Sequence, residues 1–205
     1  MRSDVAYRRK KAEVRQQELI EAGIVCLGNG GMSAFTIDQI CKSAQVSRGL
    51  INHHFKTKED LLIRIYRDMT EHLVIEPDMD TAEKQLEAII QVSFDERSFN
   101  KSNLRAWLSL WGQVPANKVL SKIHRKRYKT YKDRIENALK TALTEQNKHF
   151  DTNSIARQLV ALIDGLWLEY CLNSTEYSLA DAKKDCFRFL NSYGIQFSSI
   201  LVPDR

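Results

Sequence analysis

The chain has 205 residues, enough for one large domain or for two smaller ones, and its 8 glycines and 3 prolines are few for that length. Because these residues build most turns, their scarcity argues against all-β folds and favours long helices. The apolar runs are too short to span a membrane, and no apolar stretch follows the basic N-terminus as in a secretory signal, so we expect a cytoplasmic protein. The 31 Lys and Arg outnumber the 26 Asp and Glu, which permits a polyanionic partner without requiring one.

Capping patterns in the first part of the chain predict four helices. The first should stop at the glycine-rich run 28–31, the densest turn signal in the chain. Thr36, Ser47 and Thr57 are each placed to cap the helix that follows, because their hydroxyls accept hydrogen bonds from free backbone N–H groups of the first turn. The predicted helices cover about residues 5–28, 37–44, 47–55 and 58–75.

Longer helices are predicted in the rest of the chain. Pro77 disfavours a helical conformation for the residue before it and marks a module boundary. The four cysteines fall inside apolar helical patterns without a CxxC pair, so we expect reduced core residues. The total is about nine helices and no strand, an all-α fold. The five later helices cover about residues 80–97, 102–113, 116–147, 154–173 and 179–200.

Residues 36–55 have the spacing of a helix-turn-helix, in which the second helix enters the major groove of double-stranded DNA. That helix needs a small first turn. Ser47 can contact a phosphate, Arg48 can approach guanine with two hydrogen bonds, and Gly49 lets the backbone come close to the bases. A generic helical hairpin with a polar outer face is the alternative that this pattern leaves open. Polar residues that could reach a base or a phosphate follow at Asn52, His53 and His54.

The run from residue 17 to residue 62 resembles the DNA-binding domain of the TetR family of bacterial transcription regulators. The resemblance implies a DNA-binding domain at 1–57, with the helix-turn-helix at 36–55, and a helical regulatory, ligand-binding and dimerisation domain at 58–205. It further implies a homodimer that binds a palindromic operator, usually as a repressor. The likeness rests on Thr36, Ala44-x-Val46-Ser47-x-Gly49, His54-Phe55 and Lys58-Glu59-x-Leu61-Leu62.

Two positions depart from the family pattern. Gln45 stands where the family usually has glycine, so we expect it to adopt the left-handed conformation at some cost. Asn52 stands where a phosphate-holding tyrosine is common, and we therefore assign that contact to Lys58, at a helix N-terminus where backbone N–H groups also favour an anion. The basic cluster at residues 8–11, with Arg15, is either an arm on DNA or a solvated face of the first helix.

Residues 94–114 and 161–172 resemble the C-terminal domain of choline-responsive repressors of glycine betaine synthesis. A quaternary ammonium cannot donate a hydrogen bond, so its pocket needs aromatic faces and a carboxylate. Asp164 is set among apolar residues, and we expect it to have a partner such as Arg105 or a bound cation. Core packing is the competing interpretation of each aromatic residue. The candidates are Phe94, Trp107, Trp111, Trp167 and Tyr170, with Asp164, Asp95 or Glu96 for the charge.

The segment 122–134 is strongly basic, and we interpret it as a solvated helix face in preference to a second nucleic-acid surface. The sequence has no phosphate-cradling glycine loop, no metal-spaced Cys and His cluster and no nucleophile elbow, so we expect neither a cofactor nor an enzyme. The predicted function is a repressor released by a small-molecule inducer, with choline or betaine aldehyde as first candidates. The alternative is a helical small-molecule-binding protein or enzyme without specific DNA binding.

Overall fold

A computed structural model of the chain describes residues 2–74, 79–95, 101–173, 175 and 178–197, with side chains from residue 12 onward except that of residue 101. Over these ranges the chain forms nine α-helices and no strand, which confirms the predicted all-α fold. A single turn of 3-10 helix, Glu71–Leu73, follows the fourth helix. The helices are α1 Arg2–Ala34, α2 Ile37–Ala44, α3 Arg48–His54, α4 Lys58–Met69, α5 Ala82–Ser93, α6 Lys101–Gln113, α7 Lys118–Glu145, α8 Thr152–Leu172 and α9 Leu179–Asn191.

The first helix breaks where the sequence predicts a break. Gly30 and Gly31 leave the helical conformation, and Gly31 has a φ of 62°, which favours glycine. The predicted end of α4 near residue 75 is wrong, because the helix stops at Met69. The Thr70 hydroxyl donates to the Tyr66 carbonyl at 2.6 Å, and this local bond offers the backbone an alternative to a further helical turn.

The predicted end of α9 near residue 200 is also wrong. The helix ends at Asn191, and Gly194 follows with a φ of 82°, where the chain turns away from the helical path. The predicted boundary at Pro77 and the candidate Glu96 lie outside the described residues.

The chain divides into two compact units. The first consists of the described residues of Met1–Thr70 and Asn100–His124, so α6 and the first turns of α7 belong with the N-terminal helices. α6 packs along α1, and a Cβ atom at Gly28 would overlap the Ser102 backbone, which explains the glycine at this close approach. Fully buried side chains of this unit include Leu19, Ile20, Leu27, Phe35, Ile40, Leu61, Ile65 and Tyr66.

The second unit consists of the described residues of Glu71–Phe99 and Arg125–Arg205. In it α9 packs against α8 and α5. The functional division between residues 57 and 58 stays a prediction. Side chains that form the core of this unit include Leu86, Ile90, Phe94, Ile135, Leu139, Leu159, Cys186 and Leu190.

None of the four cysteines, all of which lie in the described ranges, forms a disulfide. Cys26 and Cys186 are buried, and burial raises the pKa of both, that of Cys186 to about 12. Cys41 and Cys171 are half-buried. Among the described helices, none combines the length and the apolar character that crossing a membrane would require.

Candidate DNA-binding surface and ligand site

α2 and α3 are joined by the turn at residues 45–47. Gln45 has φ 55° and ψ 45°, which confirms the predicted left-handed conformation. The backbone N–H groups of Gln45 and Val46 both donate to the Cys41 carbonyl, and these bonds end α2 and reverse the chain. Ile40 and Ile51 are buried, so the two helices share one apolar core and leave their other faces in solvent.

The first turn of α3 is small and exposed, as the sequence predicts. Ser47 is the N-cap residue of α3, as predicted, but the expected hydrogen bond from its side chain to the first turn is not made. A Cβ atom at Gly49 would meet only the Ser47 Oγ, at 3.8 Å. Nothing inside the unit therefore requires glycine at this position, and the open space faces solvent.

Arg48 is held by a residue that the sequence analysis missed. Its Nε donates to Oδ1 of Asp38 at 2.7 Å, and the two side chains form an ion pair in which each is 68% exposed. The hydrogen bond and the charge of Asp38 raise the pKa of Arg48. An exposed pair of this kind adds little to stability, but it orients the guanidinium and competes with any anion that approaches it. The one available signal is that Asp38 is the acidic residue in the first turn of α2.

The other predicted DNA contacts lie around this turn. The Thr36 hydroxyl accepts from the Gln39 N–H at 3.3 Å and caps α2, as predicted. Asn52 and His53 are exposed, whereas His54 is half-buried. Burial, and next the charge of His53, lower the pKa of His54, so this ring is neutral at pH 7. Lys58 is exposed and begins α4 directly after the Thr57 capping box.

The backbone of the basic cluster 8–11 is helical and belongs to α1, while its side chains lie outside the described residues. Arg15 is exposed and forms an ion pair with Glu18 at 2.5 Å. The two interpretations of this cluster remain open.

The predicted ligand residues fall in both units. Trp107 and Trp111 belong to the first, where their rings lie 5.6 Å apart and Trp107 meets Tyr66 edge-on at 6.0 Å. Trp107 is only 6% exposed. The Tyr66 hydroxyl shares a 2.7 Å hydrogen bond with Nδ1 of His124, whose pKa is lowered by burial. The Trp111 Nε1 is buried and has no hydrogen-bond partner among the described residues.

Phe94, Asp164, Trp167 and Tyr170 belong to the second unit. Phe94 is fully buried, Trp167 and Tyr170 are half-buried, and the Trp167 Nε1 donates to the Ser93 carbonyl at 2.8 Å.

The partner that the structure records for Asp164 is the hydroxyl of Tyr128, which donates to Oδ1 at 3.3 Å. Arg105, the partner suggested by the sequence, belongs to the other unit. Burial raises the pKa of Asp164 to about 7, although the Tyr128 hydrogen bond opposes this rise. The carboxyl group is therefore partly protonated at neutral pH.

A cavity of about 230 Å³ lies in the second unit, close to Ser93. Two contacts hold polar groups that line it: the Tyr131 hydroxyl lies 3.0 Å from the Ser93 Oγ, and the Arg134 Nη1 donates to the Leu73 carbonyl at 3.0 Å. None of the predicted ligand residues that the structure describes lines it. The lining residues are His72, Ala88, Ile89, Val92, Ser93, Tyr131 and Arg134.

A periodicity argument could have found two of these cavity residues. Tyr131 and Arg134 occupy the same helix face as the buried Ile135 and Ala138, so they point inward from a segment that the sequence analysis interpreted as solvated. The fixed positive charge of Arg134 makes this cavity unfavourable for a cation. Among the described residues, no group of three or more His, Cys, Asp or Glu could hold a metal ion.

Comparison with known proteins decides the family. The model of the bacterial regulatory proteins of the tetR family matches residues 19–65, and that of the BetI-type transcriptional repressor C-terminal domain matches residues 82–194, more than half of the chain. The chain belongs to the TetR family and carries a BetI-type C-terminal domain.

Individual relatives agree with this membership. The HTH-type transcriptional regulator BetI of Pectobacterium carotovorum subsp. carotovorum is 27% identical over 184 residues, which cover 86% of this chain and 92% of that protein. BetI of Escherichia coli O127:H6 is 29% identical over 167 residues, covering 78% and 84%.

Solved structures show the same fold. A Pseudomonas aeruginosa PAO1 protein assigned as a transcriptional regulator is 30% identical, with a TM-score of 0.76 and coverage of 88% of this chain and 90% of that one. A Saccharomonospora viridis regulator, solved in complex with choline, has a TM-score of 0.74 at 18% identity and covers 86% and 95%, which shows a shared fold alone.

Family membership makes this TetR-family protein a DNA-binding transcriptional regulator and not an enzyme. The resemblance found in the sequence is confirmed, and the alternative of a small-molecule-binding protein or enzyme without specific DNA binding is set aside.

Proposed function

We propose that this regulator binds a palindromic operator as a homodimer, represses transcription there, and is released by a small organic ligand. The observation that carries the proposal is the exposed first turn of α3, where Gly49 leaves open space and Arg48 presents its guanidinium beside it. A helix with such a turn can lie close to base edges in the major groove. The proposed DNA contacts are Thr36, Ser47, Arg48, Gly49, Asn52, His53, His54 and Lys58.

The proposed dimer forms through α8 and α9, which would build a four-helix bundle across the two-fold axis. Leu168 and Leu172 support this interface, because they are 40% and 69% exposed on one face of α8. Gly165 precedes them on the same face, and a Cβ atom there would meet nothing within 4 Å, so a second helix could approach closely. Two recognition helices about 34 Å apart would then match successive major grooves.

The proposed inducer is a small organic molecule, and a quaternary ammonium is the first candidate. The choline complex of the Saccharomonospora viridis regulator and the BetI-type C-terminal domain support this choice. Within the second unit, Asp164 lies on α8 about one turn before Trp167, with Tyr170 further along the same helix, and its carboxyl group suits a cation better than the cavity at Arg134 does. Phe94 stays a proposed ligand residue of the second unit, and Trp107 and Trp111 stay predicted ligand residues that belong to the first unit. The cytoplasmic location also stays a prediction.

Release from DNA requires that the ligand and the operator favour different dimer conformations. A 100-fold loss of operator affinity needs about 2.7 kcal/mol of differential ligand binding, and DNA must weaken ligand binding by the same factor. In the proposed mechanism, the distance between the two recognition helices of the ligand-bound dimer no longer equals the spacing of successive major grooves.

The DNA-binding part is tested by selecting genomic fragments with the protein and measuring the affinity of the selected site. Arg48→Ala should abolish discrimination between this site and random DNA, whereas Arg64→Ala, which removes an exposed arginine of α4, should retain it. Equal affinity of the native protein for both DNAs at about 150 mM salt would contradict sequence-specific regulation.

The ligand part is tested with choline and betaine aldehyde at millimolar concentration. Either compound should change the fluorescence of the tryptophans and release the operator. If neither compound does so, the proposal of a cationic ligand is wrong. If no metabolite in a broad screen does so, the proposal that a ligand regulates DNA binding is wrong.

A further inference from the structure

One side chain attaches the start of α7 to the start of α4. The Asn117 Nδ2 donates to Oε1 of Glu59 at 2.7 Å. Its Oδ1 accepts from the backbone N–H groups of Val119 and Leu120 at 2.9 and 3.0 Å, so the same residue caps α7. All of these residues belong to the first unit. Although 58 residues separate them in the chain, the first turns of α4 and α7 are therefore neighbours.

This contact brings together basic side chains from distant parts of the sequence. Lys58 precedes Glu59, and Lys118 follows Asn117, with Lys122 one turn further along the same face of α7. These three lysines and Lys56 are exposed, and none of the four forms an ion pair within the described ranges.

Two acidic groups of this region are already occupied. Glu59 accepts from Asn117, and Asp60 accepts from the Thr57 N–H in the capping box. Both donors are neutral, so the two carboxylates keep their charge, but the four lysines Lys56, Lys58, Lys118 and Lys122 outnumber them. The surface formed by these lysines, here called the α4–α7 lysine surface, therefore has a net positive charge. It lies directly beyond the recognition helix, because only three residues separate His54 at the end of α3 from Lys58.

We propose that the α4–α7 lysine surface binds the phosphate backbone of the operator, and that Lys118 and Lys122 thereby extend the DNA interface beyond the helix-turn-helix. Lysine contacts phosphate as a flexible point charge and reads no base. The two residues would therefore raise affinity for operator and random DNA alike and would add to its salt dependence. The inference rests on the DNA-binding function and assigns part of it to the regulatory half of the sequence.

The test measures the affinity for operator DNA at several salt concentrations. In the Lys118→Ala/Lys122→Ala variant, the slope of log affinity against log salt should become shallower by about 0.9 for each phosphate that is no longer neutralised, hence by about 1.8 for the pair. Alanine favours helix at these exposed positions, so the circular dichroism spectrum should not change.

A matched control removes the same charge elsewhere on α7. Arg125→Ala/Lys126→Ala changes two exposed basic residues further along the helix and should leave the slope at its native value. If this variant lowers the slope as much as the first one does, net charge explains the effect and the proposal is wrong. An unchanged slope in Lys118→Ala/Lys122→Ala also overturns it.

A second variant tests the attachment itself. Asn117→Asp retains the acceptor that caps α7 but loses the donor to Glu59 and places two carboxylates face to face. It should make the slope shallower while both lysines are still present, and a native slope would contradict the role of the contact. Failure of the DNA-binding function would be recognised separately, because the native protein would then bind the selected site and random DNA with equal affinity.

Discussion

Replacing Gly49 by alanine should separate stability from DNA binding. In the protein alone, the added methyl group meets only the Ser47 Oγ at 3.8 Å, an ordinary contact distance. Gly49 is the second residue of the seven-residue helix α3, where alanine is the better helix former. In the interior of a helix, replacing glycine by alanine raises the free energy of unfolding by about 0.8–1.0 kcal/mol. Because Gly49 lies close to a helix end, we expect about half of this gain, roughly 0.5 kcal/mol.

On the operator, the same methyl group should be unfavourable. If α3 approaches the bases at Gly49, the methyl enters a close-packed contact, and overpacking of this kind costs about 1–3 kcal/mol. That range corresponds to an operator affinity about 5- to 150-fold weaker. Gly49→Ala should therefore be slightly more stable than the native protein and bind its operator at least several-fold less tightly.

The assay combines urea unfolding with fluorescence anisotropy of labelled operator DNA. Gly112→Ala in α6 is the matched control, because a Cβ atom there meets nothing within 4 Å, and it should leave operator affinity unchanged. Gly23→Ala is the opposite case, since its methyl would overlap the Ile65 side chain, and it should lower the free energy of unfolding. Native operator affinity in Gly49→Ala would refute the close approach of α3, and a loss of stability would refute the open space around Gly49.

Three further changes test other parts of the molecule. Burial raises the pKa of Asp164 from its ordinary value of 3.8 to about 7, so between these pH values the folded protein holds a proton that the unfolded chain has lost. The free energy of unfolding should therefore fall as the pH rises from about 4 to 7. Asp164→Asn should remove this dependence, which urea titrations at pH 5 and pH 8 would measure. Leu168→Asp with Leu172→Asp should convert the proposed dimer into a 23.7 kDa monomer in sedimentation, and a native protein that already sediments at that mass would contradict the dimer. Gln45→Gly should raise the midpoint of thermal unfolding, since glycine adopts the left-handed conformation without the cost of about 1 kcal/mol that glutamine bears; an unchanged or lower midpoint would show that this strain is relieved elsewhere.

Features that depend on neighbours in the sequence could be predicted from it. The break at Gly30 and Gly31, the left-handed Gln45 and the cap at Thr57 all follow from local backbone sterics and from hydrogen bonds within one turn. The helix-turn-helix was predictable for the same reason, because its two short helices and their buried residues lie within about twenty positions of one another.

The tertiary structure alone decided which distant residues meet. The pairing of Arg48 with Asp38, the packing of Trp107 on Tyr66 and the attachment of Asn117 to Glu59 join residues that are 10, 41 and 58 positions apart. Helical periodicity predicts which face of a helix is buried but not which helix covers it, because that choice depends on how all the apolar faces fit together. For this reason the sequence left Trp107 and Trp111 as candidates for a ligand site or for the core, and only the assembled structure shows that α6 packs along α1, with Trp107 buried and Trp111 half-buried.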